Sequence, residues 1–272
     1  MNLRAKVDGN SGAFFCYPSV VSFGGGVNSS AMLIGMHERG IKPDAILFSD
    51  TGGEKPETYQ HIDEMQAWCK RNAMPAIEVV SYSTSRHGTL ENECLNNETL
   101  PSKAFGFGGC SVKWKRQPMD KWVEAWEPAQ AAWQRGEKVT RLIGLHAGEM
   151  RRGKIPDTDQ YAYRYPLREW GWTQDDCRQA IERAGLSVPV KSACFFCPAM
   201  RKAEVLQLAE QHPELFDRAV TMERNANEAG NLETVKGLGR HWTWENLVAA
   251  DRSQLRLFED NQAPLCDACF DE

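Results

Sequence analysis

Residues 20–30 run Val-Val-Ser-Phe-Gly-Gly-Gly-Val-Asn-Ser-Ser. Val20 to Phe23 is a short run of strand formers after Pro18, and Val27 to Arg39 predicts a helix whose buried side carries Ala31, Met32, Leu33 and Met36. Gly24, Gly25 and Gly26 stand between them. A strand that turns through glycines into a helix N-terminus is a ready-made anion site. Glycines let the backbone approach a phosphate, the first helical amides point at it, and Asn28, Ser29 and Ser30 add side-chain donors. The same turn also serves as plain α/β punctuation. Neither common phosphate motif, G-x-x-x-x-G-K-[ST] or G-x-G-x-x-G, fits the stretch.

Outward from this loop, Asp44 to Ser49 predicts a second, buried strand that ends at Asp50-Thr51-Gly52-Gly53. In an open parallel sheet ligands bind beyond the carboxyl ends of strands, so this turn is expected beside the glycine loop. Pro56 opens a helix to Arg71 with Met65 and Trp68 inward, and Glu57 suits the positive end of its dipole. Ala76 to Val80 predicts a third strand. Residues 81–109 show no periodicity and predict a long connection of the functional or mobile kind. A helix through Trp126 follows, with Met119, Trp122 and Val123 on one side. Val139 to Ile143 is the next strand and runs into Gly144-Leu145-His146-Ala147-Gly148-Glu149-Met150-Arg151-Arg152. Thr173 caps a helix to Ala184 that buries Cys177 and Ile181, and Gly185 closes it. Arg201 to Gln211 and Pro213 to Ala229 predict two more helices. The expected fold is α/β: a doubly wound, mostly parallel sheet with helices on both faces. Its nucleotide-binding domain spans 1–190. A Cys-containing helical C-terminal region, 191–272, is packed on it.

The 272 residues are 42% hydrophobic and 25% charged, ordinary globular values. No stretch is long and apolar enough to span a membrane, and the first residues lack a basic segment followed by an apolar core. A cytoplasmic protein with no membrane partner is expected. The net charge of −5 argues against a surface that grips nucleic acid throughout. Basic residues concentrate locally at Lys113, Lys115, Arg116 and at Arg151, Arg152, Lys154. Nine cysteines, an odd number, point away from a disulfide framework and toward metal or redox chemistry. Cys16, Cys69, Cys94 and Cys177 are expected to be buried or incidental.

The glycine stretch resembles the PP-loop of ATP pyrophosphatases, whose core is Ser-Gly-Gly-x-Asp-Ser. Gly25, Gly26, Val27 and Ser29 match it, Gly24 stands for its serine and Asn28 for its aspartate, and Ser22 is placed to supply the missing hydroxyl. Asp50-Thr51-Gly52 with Pro56-Glu57-Thr58 is similar to a segment of the phosphoadenylyl-sulfate (PAPS) reductase branch of that superfamily. So is Gly144 to Arg152, where Glu149 and Arg151 match a nucleotide-facing loop and His146 replaces its first arginine. The Pro166-Leu167 to Trp172 and Asp176 spacing also looks like that branch, beside a reading in which these residues only build the fold. The resemblance implies ATP and magnesium, with Ser22, Gly24, Gly25, Gly26, Asn28, Ser29, Ser30, Asp50, Thr51, Gly52 and Gly144 around the nucleotide. Lys113, Glu149 and Arg151 are the candidate catalytic residues, with Lys113, Arg151, the helix amides and magnesium offsetting developing negative charge.

Cys194-Phe-Phe-Cys197 is a C-x-x-C pair, which alone suits a redox dithiol, half a zinc site or part of an iron–sulfur site. Cys110 lies upstream where cluster-bearing sulfonucleotide reductases have a Cys-Cys pair, and Gly109 replaces one member. Three thiolates, Cys110, Cys194 and Cys197, imply a 4Fe-4S cluster with one open iron, a feature of PP-loop tRNA thiolation enzymes. A zinc site from Cys194, Cys197, Cys266 and Cys269 is the alternative. The reading is therefore ATP-dependent, adenylylating sulfur transfer to a tRNA base or a DNA phosphate. A partner protein that presents the nucleic acid, a sulfur donor such as a cysteine desulfurase, and a homodimer belong to that expectation. The alternatives are a PAPS/APS sulfonucleotide reductase and a non-catalytic nucleotide-binding subunit with structural zinc.

Overall fold

The structure, a computed structural model, describes residues 17–82, 86–149 and 153–260, and of 254–260 the backbone alone. In chain order the elements are β1 (Ser19–Phe23), α1 (Val27–Glu38), β2 (Ala45–Asp50), α2 (Pro56–Arg71), β3 (Ile77–Ser81), α3 (Leu90–Asn96), α4 (Gly109–Ser111), a π-helical turn (Val112–Arg116), α5 (Gln117–Ala125), α6 (Glu127–Gln134), β4 (Val139–Ile143), β5 (Tyr161–Arg164), α7 (Pro166–Glu169), α8 (Gln174–Arg183), α9 (Lys202–Gln211), α10 (Pro213–Glu228) and α11 (Trp244–Asp260). They fall into two compact units. One comprises Met1–Thr89 with Ser111–Cys194, the other Leu90–Cys110 with Phe195–Glu272. The division follows no single cut at residue 190, because the segment from Leu90 to Cys110 joins the C-terminal helices.

The first unit is built on a five-stranded sheet ordered β3-β2-β1-β4-β5, and each neighbouring pair is parallel. The fold is thus the expected α/β sheet flanked by helices. From β1 the chain winds outward to β3, then returns to place β4 on the other side of β1. The reversal puts a topological switch point between β1 and β4, where an open parallel sheet forms its ligand crevice. Strand alternation divides the core in two. Val21, Phe23, Ile46 and Phe48 join Met32, Leu33, Met36, Met65, Trp68, Cys177 and Ile181 on the face covered by α1, α2 and α8. Val20, Ala45, Leu47 and Val139 join Met119, Val123 and Ala129 of α5 and α6 on the other. Full burial of each large apolar side chain stabilises by roughly 1.5–3 kcal/mol.

Three elements depart from the expected ones. The connection 81–109 contains α3, whose seven residues are too few to display a helical period. Helix α6 follows α5 after a break at Trp126, whose extended backbone ends one helix and starts the next before Pro128. Strand β5, Tyr161–Arg164, pairs with β4 along a polar, partly exposed edge that lacks an apolar run. The Trp170–Trp172 segment builds the fold: a Cβ on Gly35 of α1 would lie 2.6 Å from the Trp170 ring and 2.7 Å from that of Trp172. Arg39 stacks over both rings at 4.2 and 5.0 Å.

The second unit packs α9 against α10 and α11 through Val205, Leu208, Phe216, Val220, Met222, Trp244 and Val248, all buried. Arg218 of α10 makes a two-pronged pair with Glu91 of α3, which ties the inserted segment to the helices. The Glu223 carboxylate is buried beneath a turn, accepting the Leu238 amide at 2.6 Å and the Trp244 amide at 2.9 Å. Gly237 is required there, since its Cβ would meet a Glu223 oxygen at 2.4 Å.

Candidate functional site

The glycine turn lies at the switch point. Gly25 has φ +68, a conformation an L side chain disfavours, and its Cβ would come within 3.2 Å of Thr58 Cγ2. The amides of Gly24 and Gly26 both donate to one oxygen, Ser29 Oγ, at 3.2 and 3.4 Å. Two loop amides thus converge on a single oxygen at a helix N-terminus, and that oxygen is the Ser29 hydroxyl. Gly24 is exposed and Gly26 half-buried, with Ser192 Oγ 3.0 Å from the Cβ position of Gly26. Gly144, at the end of β4, closes the crevice from the other side: its Cβ would lie 3.0 Å from the backbone of Asn28 and Ser29. Only glycine permits that approach.

Asn28 reaches from the start of α1 to the loop after β4. Its Nδ2 donates to Glu149 Oε2 at 2.8 Å, and the same oxygen accepts the His146 amide at 3.2 Å. An aspartate would set two carboxylates against each other. Asn28 Oδ1 is buried with no partner. His146 is held as a structural residue, its Nδ1 accepting the Gly148 amide at 3.1 Å. Ser30 is wholly buried, donates to the Gly26 carbonyl at 3.0 Å and meets His61 Nε2 at 2.7 Å, so it supports the loop from inside. Burial of His61 pushes its pKa down, favouring the neutral ring.

At the end of β2, Asp50 Oδ1 accepts the Gly52 amide at 2.8 Å and the Tyr59 hydroxyl at 2.9 Å. Burial first, and that bonded carboxylate second, push the Tyr59 phenol well above its usual pKa. Gly52 has φ +71 and would drive a Cβ into Thr89 at 2.4 Å. Thr51 is buried, with its Oγ1 3.1 Å from Cys194 Sγ, and Glu54 bridges Cys194 through the backbone. Thus the Asp50-Thr51-Gly52 turn is first a shaped loop that holds Cys194.

The π-helical turn sends its lysines to different partners. Trp114 is buried, and its carbonyl accepts the Ser49 hydroxyl of β2 at 2.9 Å. With Trp114 fixed, neighbours on its two sides diverge. Lys113 lies over Tyr82 at 5.2 Å, whereas Lys115 reaches Glu54 at 2.8 Å. The Glu54 side chain has no exposed surface.

A cavity of ≈ 230 Å³ lies under α5 at the carboxyl ends of β1, β2 and β4. Ser22, Gly24, Phe48, Met119, Ile143 and Tyr163 are among its walls, with Lys115, Arg116 and Arg141 at its polar side. The Arg141 guanidinium is 5% exposed, pairs through one nitrogen with Asp120 and lies 4.7 Å from the Tyr161 ring. Its Nε and Nη2 have no partner. A legible signal existed: Arg141 is a charge at the centre of the otherwise strand-like Val139-Thr-Arg-Leu-Ile143.

None of the described cysteines is in a disulfide. Cys194 belongs to the first unit and Cys110 and Cys197 to the second. Among the described residues no group of three or more His, Cys, Asp or Glu side chains is gathered to hold a metal ion. Cys69 and Cys177 are buried, and burial pushes their thiols up to about 11 and about 12, which makes them inert. Arg151, Cys266 and Cys269 lie outside the described residues. Among the described residues no helix is long and apolar enough to cross a membrane.

Comparison with protein-family models finds no match. An uncharacterized protein of Methanocaldococcus jannaschii is 22% identical over 256 residues, which cover 90% of this chain and 56% of that protein. The chain thus spans about half the length of this curated relative. Among solved structures, the U34-tRNA thiolase NcsA from Methanococcus maripaludis with its [4Fe-4S] cluster aligns over 92% of this chain and 82% of its own, at 12% identity and a TM-score of 0.38.

Proposed function

We propose that this chain is a PP-loop-type ATP-dependent sulfurtransferase that activates an oxygen of a nucleic acid, a tRNA base or a DNA phosphate, and replaces it with sulfur. The observation that carries the reading is the pair of glycine amides that converge on Ser29 Oγ at the start of α1, beside the switch point between β1 and β4. A phosphate oxygen of ATP takes the place of the Ser29 hydroxyl as their acceptor. The apolar cavity continues from Gly24 and suits the base, being smaller than the several hundred Å³ typical of whole-ligand pockets. Magnesium binds with the triphosphate.

In this reading a substrate oxygen attacks the α-phosphate, pyrophosphate leaves, and an adenylylated substrate remains for sulfide to displace AMP. The protein's part is positional and electrostatic: loop amides, the α1 dipole and Lys115 face the negative charge that moves onto the leaving group, with Lys113 and Arg151 as further candidates. Glu149, fixed by Asn28, positions the β4 loop. Cys110, Cys194 and Cys197 are the proposed ligands of an iron–sulfur cluster on residue type and spacing alone, since no such group is gathered among the described residues. When bound, such a cluster supplies an iron site for sulfide.

The test has two arms. Pyrophosphate release from ATP in the presence of RNA or DNA is expected in the wild type and lost in Gly25→Ala, whose methyl strains the loop. Iron and acid-labile sulfide are expected in anaerobically purified protein and depleted in Cys110→Ala. Sulfite formation from PAPS without ATP turnover would replace this reading with a reductase, and a colourless protein with stoichiometric zinc would replace it with a binding subunit.

A further inference from the structure

Within the second unit, two segments far apart in sequence are fastened into one surface. The loop 102–109 is folded on itself, with the Phe105 and Phe107 amides both donating to the Ser102 carbonyl at 3.1 Å. It ends at Cys110, whose amide donates to Ser102 Oγ at 2.7 Å. The turn 236–242 docks onto this loop through Arg240. That guanidinium donates to the Lys103 carbonyl at 3.0 Å and reaches to 3.8 Å from the Cβ position of Gly106. Arg240 holds φ +64, a conformation that long side chains rarely adopt, and its carbonyl accepts the Lys236 amide at 2.6 Å. A glycine would take this turn without strain but would lose the guanidinium bond to the Lys103 carbonyl that joins the two segments.

The surface thus joined carries two aromatic platforms and five exposed cations. Phe107 is 70% exposed in its loop, flanked by Gly106 and Gly108. Trp242 lies flat on Gly239, where a Cβ would meet its ring at 2.3 Å, and Lys202 Nζ sits 5.7 Å from its ring centroid. Lys103, Arg201, Lys202, Lys236 and Arg240 are all exposed. An apolar protein partner would demand a continuous greasy patch. Separated rings interleaved with cations match instead a polyanion with flat, unstacked bases.

We infer that this surface binds the single-stranded part of a nucleic acid, with Phe107 stacking a base close to Cys110 and the five cations following its phosphates. The inference rests on the nucleic-acid reading above and locates where the strand lies. Net negative charge elsewhere keeps the rest of the chain from competing for the backbone.

The probes are fluorescein-labelled single-stranded RNA and DNA oligonucleotides and a duplex of the same sequence, read by anisotropy across a salt series. Wild type is expected to bind single strands more tightly than the duplex. Phe107→Ala, at an exposed position, is expected to weaken binding about tenfold with no change in salt slope. Lys103→Gln with Lys202→Gln is expected to lower the slope of log K against log salt by about 0.7 per cation removed. Arg240→Gly relaxes the backbone strain and is expected to weaken binding without lowering the melting temperature. Equal affinity of wild type and Phe107→Ala, or an unchanged salt slope in the double variant, overturns this placement. Pyrophosphate release measured alongside separates the two proposals: binding that responds to these variants without ATP turnover keeps the surface and removes the enzyme. Turnover with unresponsive binding does the reverse.

Discussion

Asn28→Asp tests how the crevice is assembled. In the wild type Asn28 Nδ2 donates to Glu149 Oε2 at 2.8 Å, an ordinary hydrogen bond of about 0.5–1.5 kcal/mol. Aspartate converts that contact into two carboxylate oxygens at the same distance. At an effective dielectric of about 20 the repulsion is about 6 kcal/mol before anything moves. Glu149 is 23% exposed, so water screens part of this, and a small rotation relieves more. A net loss of about 2–4 kcal/mol near pH 8 is expected, with the pair able to shed it by sharing a proton at lower pH. The assay is urea denaturation of wild type and variant at about pH 8 and about pH 5. The variant is expected to recover most of its deficit at the lower pH. Adding Glu149→Gln restores a donor between the two groups and is expected to recover stability at both, as a double-variant cycle. An equal deficit at the two pH values, or no rescue by glutamine, would refute the electrostatic account of Asn28.

Two further outcomes follow from the same geometry. Lys115→Met leaves the fully buried Glu54 carboxylate without its cation and is expected to lose about 3–5 kcal/mol by denaturation, much of it regained with Glu54→Gln. Burial holds Glu223 at about 7, above the usual carboxylate value, so the folded state binds its proton more tightly than the unfolded chain. Its contribution is therefore complete below the unfolded value and is lost as pH rises through about 7. Up to about 3 kcal/mol is expected to disappear by about pH 8, and the Glu223→Gln variant should flatten that profile.

Much of the first unit was legible because its helices and inner strands carry strong local signals. Val20–Phe23 and Ala45–Asp50 are apolar on both faces, as central parallel strands must be. Pro56, and Thr173 with Asp176, mark helix starts by chemistry that acts within one turn. The glycine loop was visible for the same reason, since φ +68 at Gly25 is a local requirement. Strand β5 was hidden because an edge strand borrows its stability from its neighbour and needs no apolar run of its own. Which lysine turns toward Glu54 was hidden for a related cause. Lys113 and Lys115 differ only in which side of the buried Trp114 they leave, and that follows from a single Trp114–Ser49 hydrogen bond.

By itself the sequence determined the inner strands, the longer helices and the glycine turn between β1 and α1, because each is written in residue types within a few positions. Tertiary structure alone decided that Asn28 clasps Glu149, that Lys115 neutralises buried Glu54, that Arg141 faces the cavity and that Arg240 joins two loops into one surface. These contacts link residues that folding brings together from distant parts of the chain. Their energies depend on burial and on partner distance, which no local pattern encodes.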